Sequence, residues 1–280
     1  MSAILNSTRT AMPRRARADG ISIENVEMVY RRGQHEVHAL KRCNLEIAAG
    51  SWVSLIGASG CGKSTLLRIL SDIVHPTSGQ ALLGGLTPAE ARAARRFALV
   101  SQHAVMLPWR RVLGNVELAL AVARVPKAER QRRAQEALEM VGLKGFDKAY
   151  PAELSGGMRQ RAAIARALTL KPAYLFMDEP FGALDELLRE HLNFELLRIL
   201  EETKATLLLV THSISEAIIL SDKVVVMSPR PGRITRQIDI GFGHDRHPTI
   251  RDDPRFGRLE SEIRHALGHS GTDEDLPPPP

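Results

Sequence analysis

The chain has 280 residues, enough for one or two domains, and a formal net charge of +6. Hydrophobic residues make up 44% of the sequence and charged residues 25%, a composition that is ordinary for a globular protein. An aromatic content of 4% argues against a single-strand nucleic-acid binder built on stacked rings, and two cysteines exclude a disulfide framework. No stretch approaches the roughly 20 apolar residues of a transmembrane helix, so a role at a membrane would require a partner.

The first part of the chain predicts a polar arm, four strands and one helix. Residues 1–19 are polar and rich in arginine and lack the apolar stretch of a secretory signal, so we expect a basic, disordered arm. The elements predicted after this arm are strands at 21–30, 39–48, 51–57 and 97–102, and a helix at 63–73, whose leucines and isoleucines have helical spacing.

The middle of the chain has helical patterns only, at 115–125 and 127–143, which predicts a helical subdomain at about 103–160. The second half again has short apolar runs typical of strands buried on both faces of a parallel sheet, at 173–178, 206–212 and 223–229. An amphipathic helix at 185–202 separates the first two runs. This alternation predicts an α/β fold with right-handed crossovers. The last residues, 272–280, are rich in proline and poor in apolar side chains, which predicts a disordered tail.

A phosphate-binding loop is indicated by the pattern G-x-x-x-x-G-K-[ST] between a predicted strand and a predicted helix. Glycines allow backbone N–H groups to surround phosphate oxygens, and the N-terminus of the next helix favours the same anion. Lys63 would supply a charge for the β- and γ-phosphates, and Ser64 a hydroxyl for Mg²⁺. A glycine-rich hairpin is the structural alternative, but it does not account for the flanking strand and helix. The residues of the loop are Gly57, Ala58, Ser59, Gly60, Cys61, Gly62, Lys63, Ser64 and Thr65.

Two acidic residues, Asp178 and Glu179, follow an apolar strand at the end where ligands of open α/β sheets bind. Asp178 is a candidate Mg²⁺ ligand, and Glu179 a candidate general base for an attacking water. An acidic pair that caps the following helix is the alternative interpretation. Together with the phosphate loop, the pair favours nucleotide hydrolysis.

A second cradle of small residues, Ser155, Gly156 and Gly157, precedes another evident helix in the segment LSGGMRQR (154–161). A capped helix start would explain one such cradle but not two in one chain. This segment resembles the signature of the ATP-binding-cassette (ABC) ATPases. The resemblance covers roughly residues 20–240 and implies the family fold: a P-loop nucleotide-binding α/β core with an antiparallel β portion and an inserted helical subdomain. Residues 241–280 would form a C-terminal extension.

Other positions match the family's motifs in the expected order. The resemblance implies that Tyr30 lies against adenine, that Gln102 contacts Mg²⁺ or water, and that His212 contacts the γ-phosphate. Residues 182–185 (GALD) match the family's D-loop. The family arrangement is a head-to-tail dimer, in which ATP and Mg²⁺ lie between residues 57–65 of one copy and 155–157 of the other.

Two short segments, LPW (107–109) and MSPRPGRI (227–234), are similar to the nitrate/sulfonate/taurine group of bacterial importer ATPases. This resemblance implies a peripheral protein on the cytoplasmic face of the inner membrane, with a second ATP-binding subunit, permease subunits and, indirectly, a substrate-binding protein as partners. Trp109, beside two arginines, lies where the family docks a permease helix; packing into the helical subdomain is the equal alternative. Nitrate, taurine, alkanesulfonates, cyanate and thiamine precursors all remain open as substrates.

Three other classes of protein fit the sequence less well. A soluble ABC ATPase of chromosome maintenance or translation would show a long coiled-coil insertion or two cassettes, and the sequence shows neither. A P-loop kinase or GTPase would not explain LSGG or His212, and no guanine-specifying NKxD motif is present. The arginines are scattered over several segments, so we expect a solvated basic surface and no nucleic-acid partner.

Overall fold

The computed structural model describes residues 19–33, 35–182, 184–244 and 246–269. The predicted arm at 1–19, apart from Asp19, and the predicted tail at 272–280 lie outside these ranges, as does Ala183 of the GALD segment. Within the described ranges, none of the helices combines the length and the apolar character that crossing a bilayer requires.

A three-stranded antiparallel sheet forms the first layer, with the strand order β2-β1-β4. Its strands are β1 (Ile21–Arg32), β2 (His35–Ile47) and β4 (Ser78–Leu83). The end of β2 alternates between exposed residues and the buried Cys43, Leu45 and Ile47, so only one face of the sheet packs on the core. This sheet confirms the antiparallel portion that the family resemblance implied.

A six-stranded sheet forms the centre, in the order β5-β6-β7-β3-β8-β9. Its strands are β3 (Trp52–Gly57), β5 (Phe97–Val100), β6 (Tyr174–Asp178), β7 (Thr206–Val210), β8 (Lys223–Met227) and β9 (Ile234–Asp239). The first five in this order are parallel, and β9 is antiparallel to β8. All residues of β3 and β7 are buried, as expected for strands covered on both faces.

Helices cover both faces of the central sheet. On β7, Leu207 and Leu209 belong to one hydrophobic cluster, and Leu208 and Val210 to a second, because successive side chains point to opposite faces. The second cluster also contains the buried side chains of the antiparallel sheet. The helices of the α/β core are α1 (Lys63–Leu70), α2 (Pro88–Ala93), α7 (Glu186–Thr203), α8 (Ile214–Leu220) and α9 (Pro254–His269).

The region predicted as a helical subdomain, at about 103–160, contains α3 (Val112–Val116), α4 (Leu118–Val122), α5 (Lys127–Met140) and the first turn of α6 (Gly156–Leu168), which continues beyond the predicted boundary. The prediction of one helix at 115–125 was wrong in detail, because the helical segment begins at Val112 and is interrupted at Glu117. The buried Asn115 explains the early start: its amide nitrogen donates to the carbonyls of Leu107, Arg110 and Arg111, and its oxygen accepts from the Leu107 N–H. Asn115 thereby fixes the loop that carries Trp109, whose side chain is 72% exposed.

The C-terminal segment packs against the sheet through Asp222, which lies just before β8. One carboxylate oxygen accepts from the N–H of Trp52 at 2.9 Å, and the other lies 3.0 Å from His244 Nε2 and 3.3 Å from Arg246 Nη2. His244 also stacks on the Trp52 ring, with 3.9 Å between centroids. These contacts attach the segment that leads into α9, a helix that was not among those predicted from the sequence.

Candidate nucleotide-binding site

All five parallel strands end at the same edge of the central sheet. Gly57 at the end of β3 pairs with Met227 at the end of β8, and Asp178 at the end of β6 pairs with Val210 at the end of β7. The segments that follow these strands therefore emerge side by side. Ligands of open α/β sheets bind at this edge.

The phosphate loop follows β3 and leads directly into α1. Gly60 and Gly62 have φ angles of +75° and +107°, which L side chains rarely adopt. A Cβ on Gly62 would lie 2.6 Å from the Leu40 side chain and 2.8 Å from the carbonyl oxygen of Ala39. Glycine at position 62 is therefore required by both the backbone conformation and the close approach of β2.

Lys63 begins α1 and is 6% exposed. Its ammonium group donates to the carbonyl oxygens of Gly57 at 2.8 Å and Ala58 at 3.0 Å, which holds the charge against the phosphate loop. Cys61, which belongs to the same loop, is buried.

A cavity of about 340 Å³ lies above the phosphate loop. Tyr30, Val37 and Ala39 give it one largely apolar wall, and Glu179 is the single acidic residue in its lining as the structure describes it. The cations Lys63 and Arg230 outnumber that carboxylate, so the cavity suits an anionic ligand with an apolar or aromatic part. The remaining lining residues are Ser59, Gly60, Gly62, Ser64, Thr65 and Gln102.

Ser64 and Asp178 form the candidate metal site. The Ser64 hydroxyl donates to Asp178 Oδ1 at 2.9 Å. Burial raises the pKa of the Asp178 carboxyl, and the hydrogen bond from Ser64 opposes this effect. No cluster of three or more His, Cys, Asp or Glu side chains suited to a metal occurs in the described ranges. A hydroxyl and one carboxylate fit Mg²⁺, which binds through few protein oxygens together with substrate phosphates.

The three predicted catalytic residues meet at one atom, because Gln102 and His212 both approach Oε2 of Glu179. Gln102 Nε2 donates to this oxygen at 3.2 Å, and His212 Nδ1 lies 3.2 Å from it. Glu179 has a left-handed backbone with φ of +46°, and its N–H donates to the carbonyl of Val210 at the end of β7. Gln102 follows β5, Glu179 follows β6 and His212 follows β7, so adjacent strands bring the three together.

The signature residues lie elsewhere on the chain. Ser155 caps α6 by accepting a hydrogen bond from the Met158 N–H at 3.2 Å, and both Ser155 and Gly156 are exposed. Gly157 is buried, and a Cβ there would lie 2.8 Å from the Leu188 side chain. None of the three lines the described wall of the cavity. The chain therefore does not bring its two small-residue cradles to one site.

Arg230 lines the cavity from the turn after β8 but was not among the predicted site residues. It lies in the segment MSPRPGRI, which predicted only a family resemblance. The usable signal was the position of the arginine just after an apolar strand, at the edge where the other candidate residues lie.

The comparisons with known proteins agree with this architecture. The family described as ABC transporter matches residues 40–182. A taurine import ATP-binding protein, TauB, of Rhizobium johnstonii is 45% identical over 85% of this chain and 91% of its own length. An ABC transporter ATP-binding protein of Methanocaldococcus jannaschii is 44% identical over 82% of this chain and 85% of its own length.

A solved structure of the ATP-binding cassette MJ0796, a dimer in a post-hydrolysis state bound to ADP and Pi, is 33% identical with a TM-score of 0.70. It covers 79% of this chain and 98% of its own. The chain belongs to the ABC transporter family, as the ATP-hydrolysing, ATP-binding component. The resemblance to the group that includes the taurine importers is also confirmed.

Proposed function

We propose that this chain is the ATP-hydrolysing subunit of a bacterial ABC importer for a small anion or sulfonate, working through a separate permease. The convergence of Gln102 and His212 on Glu179, at the wall of the cavity above the phosphate loop, carries the hydrolytic part of this proposal. The similarity to taurine import ATP-binding proteins, at 38–45% identity, supports the choice of substrate class.

In this proposal ATP is bound by the phosphate loop, with Lys63 at its phosphates and Tyr30 against its adenine. Glu179 accepts a proton from the attacking water, while Gln102 and His212 orient the Glu179 carboxylate. His212 also contacts the γ-phosphate. Ser64, Gln102 and Asp178 would hold Mg²⁺, which neutralises phosphate charge when bound.

The proposed assembly is a head-to-tail dimer. Ser155 and Gly156 are exposed and separate from the cavity of their own chain, so they are available to a second copy. Each ATP would then lie between the phosphate loop of one copy and residues 155–157 of the other. Loss of the γ-phosphate would release this interface, which couples hydrolysis to a change in subunit contacts.

The permease would bind on the loop that Asn115 holds. Val105 and Trp109 are 66% and 72% exposed on this loop, and Arg110 and Arg111 are exposed beside them. An exposed tryptophan flanked by arginines suits an interface anchor. In this proposal the protein is peripheral on the cytoplasmic face of the bacterial inner membrane, and a substrate-binding protein contacts only the permease.

The variant Glu179→Gln tests the proposed chemistry. It keeps the shape and the hydrogen bonds of the side chain but removes the base, so we expect ATP turnover to fall by at least about 100-fold. Nucleotide binding should be retained, and MgATP should now hold the chain as a dimer, measured by light scattering. Normal turnover in this variant would exclude Glu179 as the base.

The same variant tests the transport part in cells. Uptake of labelled taurine should be lost when Glu179→Gln replaces the natural chain, while the protein remains in the membrane fraction with its permease. Undiminished taurine uptake would exclude taurine as the substrate, and a chain absent from the membrane fraction would contradict the permease partner.

A further inference from the structure

The turn between β8 and β9, residues 228–233, packs directly against the phosphate loop. The N–H of Gly232 donates to the carbonyl of Ala39 at 3.0 Å, and its carbonyl accepts from the N–H of Lys41 at 2.9 Å. A Cβ on Gly232 would lie 1.9 Å from the carbonyl oxygen of Cys61. Only glycine permits this approach, so the turn is held between β2 and the phosphate loop.

Arg230 lies in this turn and contacts the loop with two nitrogens. Its Nε and Nη2 donate to the carbonyl oxygen of Gly60 at 3.3 and 3.2 Å. Arg230 lines the same cavity as Lys63, and the other charged group of that lining is Glu179. The guanidinium therefore adds a second positive charge to the wall of the cavity.

The topology of the sheet explains this position. Each of the five parallel strands ends at the edge that carries the site, and four of them lead to a residue with a proposed role: Gln102, Glu179, His212 and, after β3, Lys63. The fifth strand, β8, pairs with β3 and leads to Arg230 three residues after Met227. Among the described residues that line the cavity, Arg230 is the cation that the proposed chemistry does not use.

We propose that Arg230 is a further nucleotide-binding residue, which strengthens binding of the polyphosphate by fixing the Gly60 carbonyl and adding positive charge to the cavity. This proposal rests on the proposed ATP site and deepens it. The bond to the Gly60 carbonyl restrains the loop in which the neighbouring N–H groups face the phosphates. The positive charge attracts a ligand with three or more negative charges and acts on affinity rather than on the hydrolytic step.

Isothermal titration of the purified chain with Mg²⁺ and the non-hydrolysable analogue AMP-PNP measures this contribution. Arg230→Ala should raise the dissociation constant about fivefold, and the difference should shrink at high salt. Arg230→Lys should recover part of the affinity, because lysine keeps the charge but not the two-nitrogen contact. In turnover assays, Arg230→Ala should raise the KM for ATP and leave kcat nearly unchanged.

Arg233→Ala is the matched control. Arg233 is exposed on the same turn and does not line the described cavity, so its removal makes the same change in net charge. Equal weakening by Arg230→Ala and Arg233→Ala would overturn the proposal, and so would unchanged binding by Arg230→Ala. If Arg230→Ala fails to fold, Arg230→Lys and Arg230→Gln make the same comparison. We then expect the affinity for AMP-PNP to decrease from the natural arginine to lysine and from lysine to glutamine.

Lys63→Ala separates this proposal from the proposed function. If Lys63→Ala abolishes AMP-PNP binding while Arg230→Ala does not weaken it, the ATP site stands and the role of Arg230 is wrong. If Lys63→Ala binds as tightly as the natural chain, the proposed ATP site itself is wrong.

Discussion

At the scale of single residues, the phosphate loop depends on backbone conformations that only glycine adopts without strain. Gly62 combines a φ of +107° with the close approach of Ala39 and Leu40, so its substitution meets two separate obstacles. Gly257 in α9 meets neither, because no atom lies within 4 Å of a Cβ built there. Glycine is therefore required at position 62, whereas at position 257 the structure leaves room for a side chain.

Gly62→Ala is expected to weaken nucleotide binding strongly and to lower the free energy of unfolding by at least about 1–2 kcal/mol, the cost of a left-handed backbone. Gly257→Ala should leave binding unchanged and stabilise the helix by about 0.5–1 kcal/mol. Chemical denaturation and AMP-PNP titration measure both variants. A Gly62→Ala chain that binds and unfolds like the natural one would contradict the structural argument.

The sequence allowed prediction of those site residues whose chemistry requires a fixed spacing. The loop at 57–65 and the acidic pair after β6 are of this kind, because glycine, lysine and carboxylate have to occur at set positions along one segment. Arg230 belongs to no such pattern. Its relation to Gly60 arises from the pairing of β3 with β8, which the order of residues does not reveal.

At the scale of elements, Asp222 connects three segments that are distant in sequence. It binds the start of β3 and the two side chains, His244 and Arg246, that lead toward α9. The side chain of Arg246 is fully buried, and its guanidinium also donates to the carbonyls of Ile218 and Ile219 at the end of α8. Burial lowers the pKa of this guanidinium, since desolvation disfavours its charged form.

Asp222→Ala would leave Arg246 buried without its carboxylate partner, so we expect the free energy of unfolding to fall by about 3–5 kcal/mol. Asp239→Ala is the control, because Asp239 is 85% exposed and lies 3.7 Å from Lys223, a pair worth at most about 1 kcal/mol. Urea denaturation measures both. Equal losses in the two variants would contradict the role of Asp222.

Buried strands were predicted from the sequence, whereas β9 and α9 were not. β7 is a continuous apolar run, whereas most residues of β9 are exposed at the edge of the sheet and give no such pattern. In α9, Phe256, Leu259 and Ile263 pack on the core and have helical spacing among charged residues. The apolar stripe of an amphipathic helix is therefore present in the sequence, and this helix was predictable from it.

At the scale of the whole molecule, the exposed signature and the separate cavity require a second chain in the proposed mechanism. Cysteines at Ser59 and Ser155, in a chain whose Cys43 and Cys61 are serine, should form a disulfide between two copies under mild oxidation when MgATP is present. Non-reducing electrophoresis shows the dimer. We expect no dimer without nucleotide, because ATP bridges the two cradles.

The pair Ser59→Cys and Ser261→Cys provides the control, since Ser261 is exposed on α9 and does not belong to the signature. Dimers formed equally by both pairs, or formed equally without nucleotide, would contradict the head-to-tail arrangement. The fold of one chain was predictable from its motifs. The head-to-tail pairing of two chains was predicted only from the family resemblance, because periodicity and spacing in one chain do not describe the surfaces that meet.

The two tryptophans of the chain occupy opposite environments, and this gives the protein an intrinsic optical probe. Trp52 is 1% exposed and stacks on His244, whereas Trp109 is 72% exposed on the loop held by Asn115. Emission quenched by iodide, an anion that does not enter the apolar core, will therefore come mainly from Trp109. A blue shift of that emission on mixing with permease vesicles would report, without any label, the moment at which this loop leaves water.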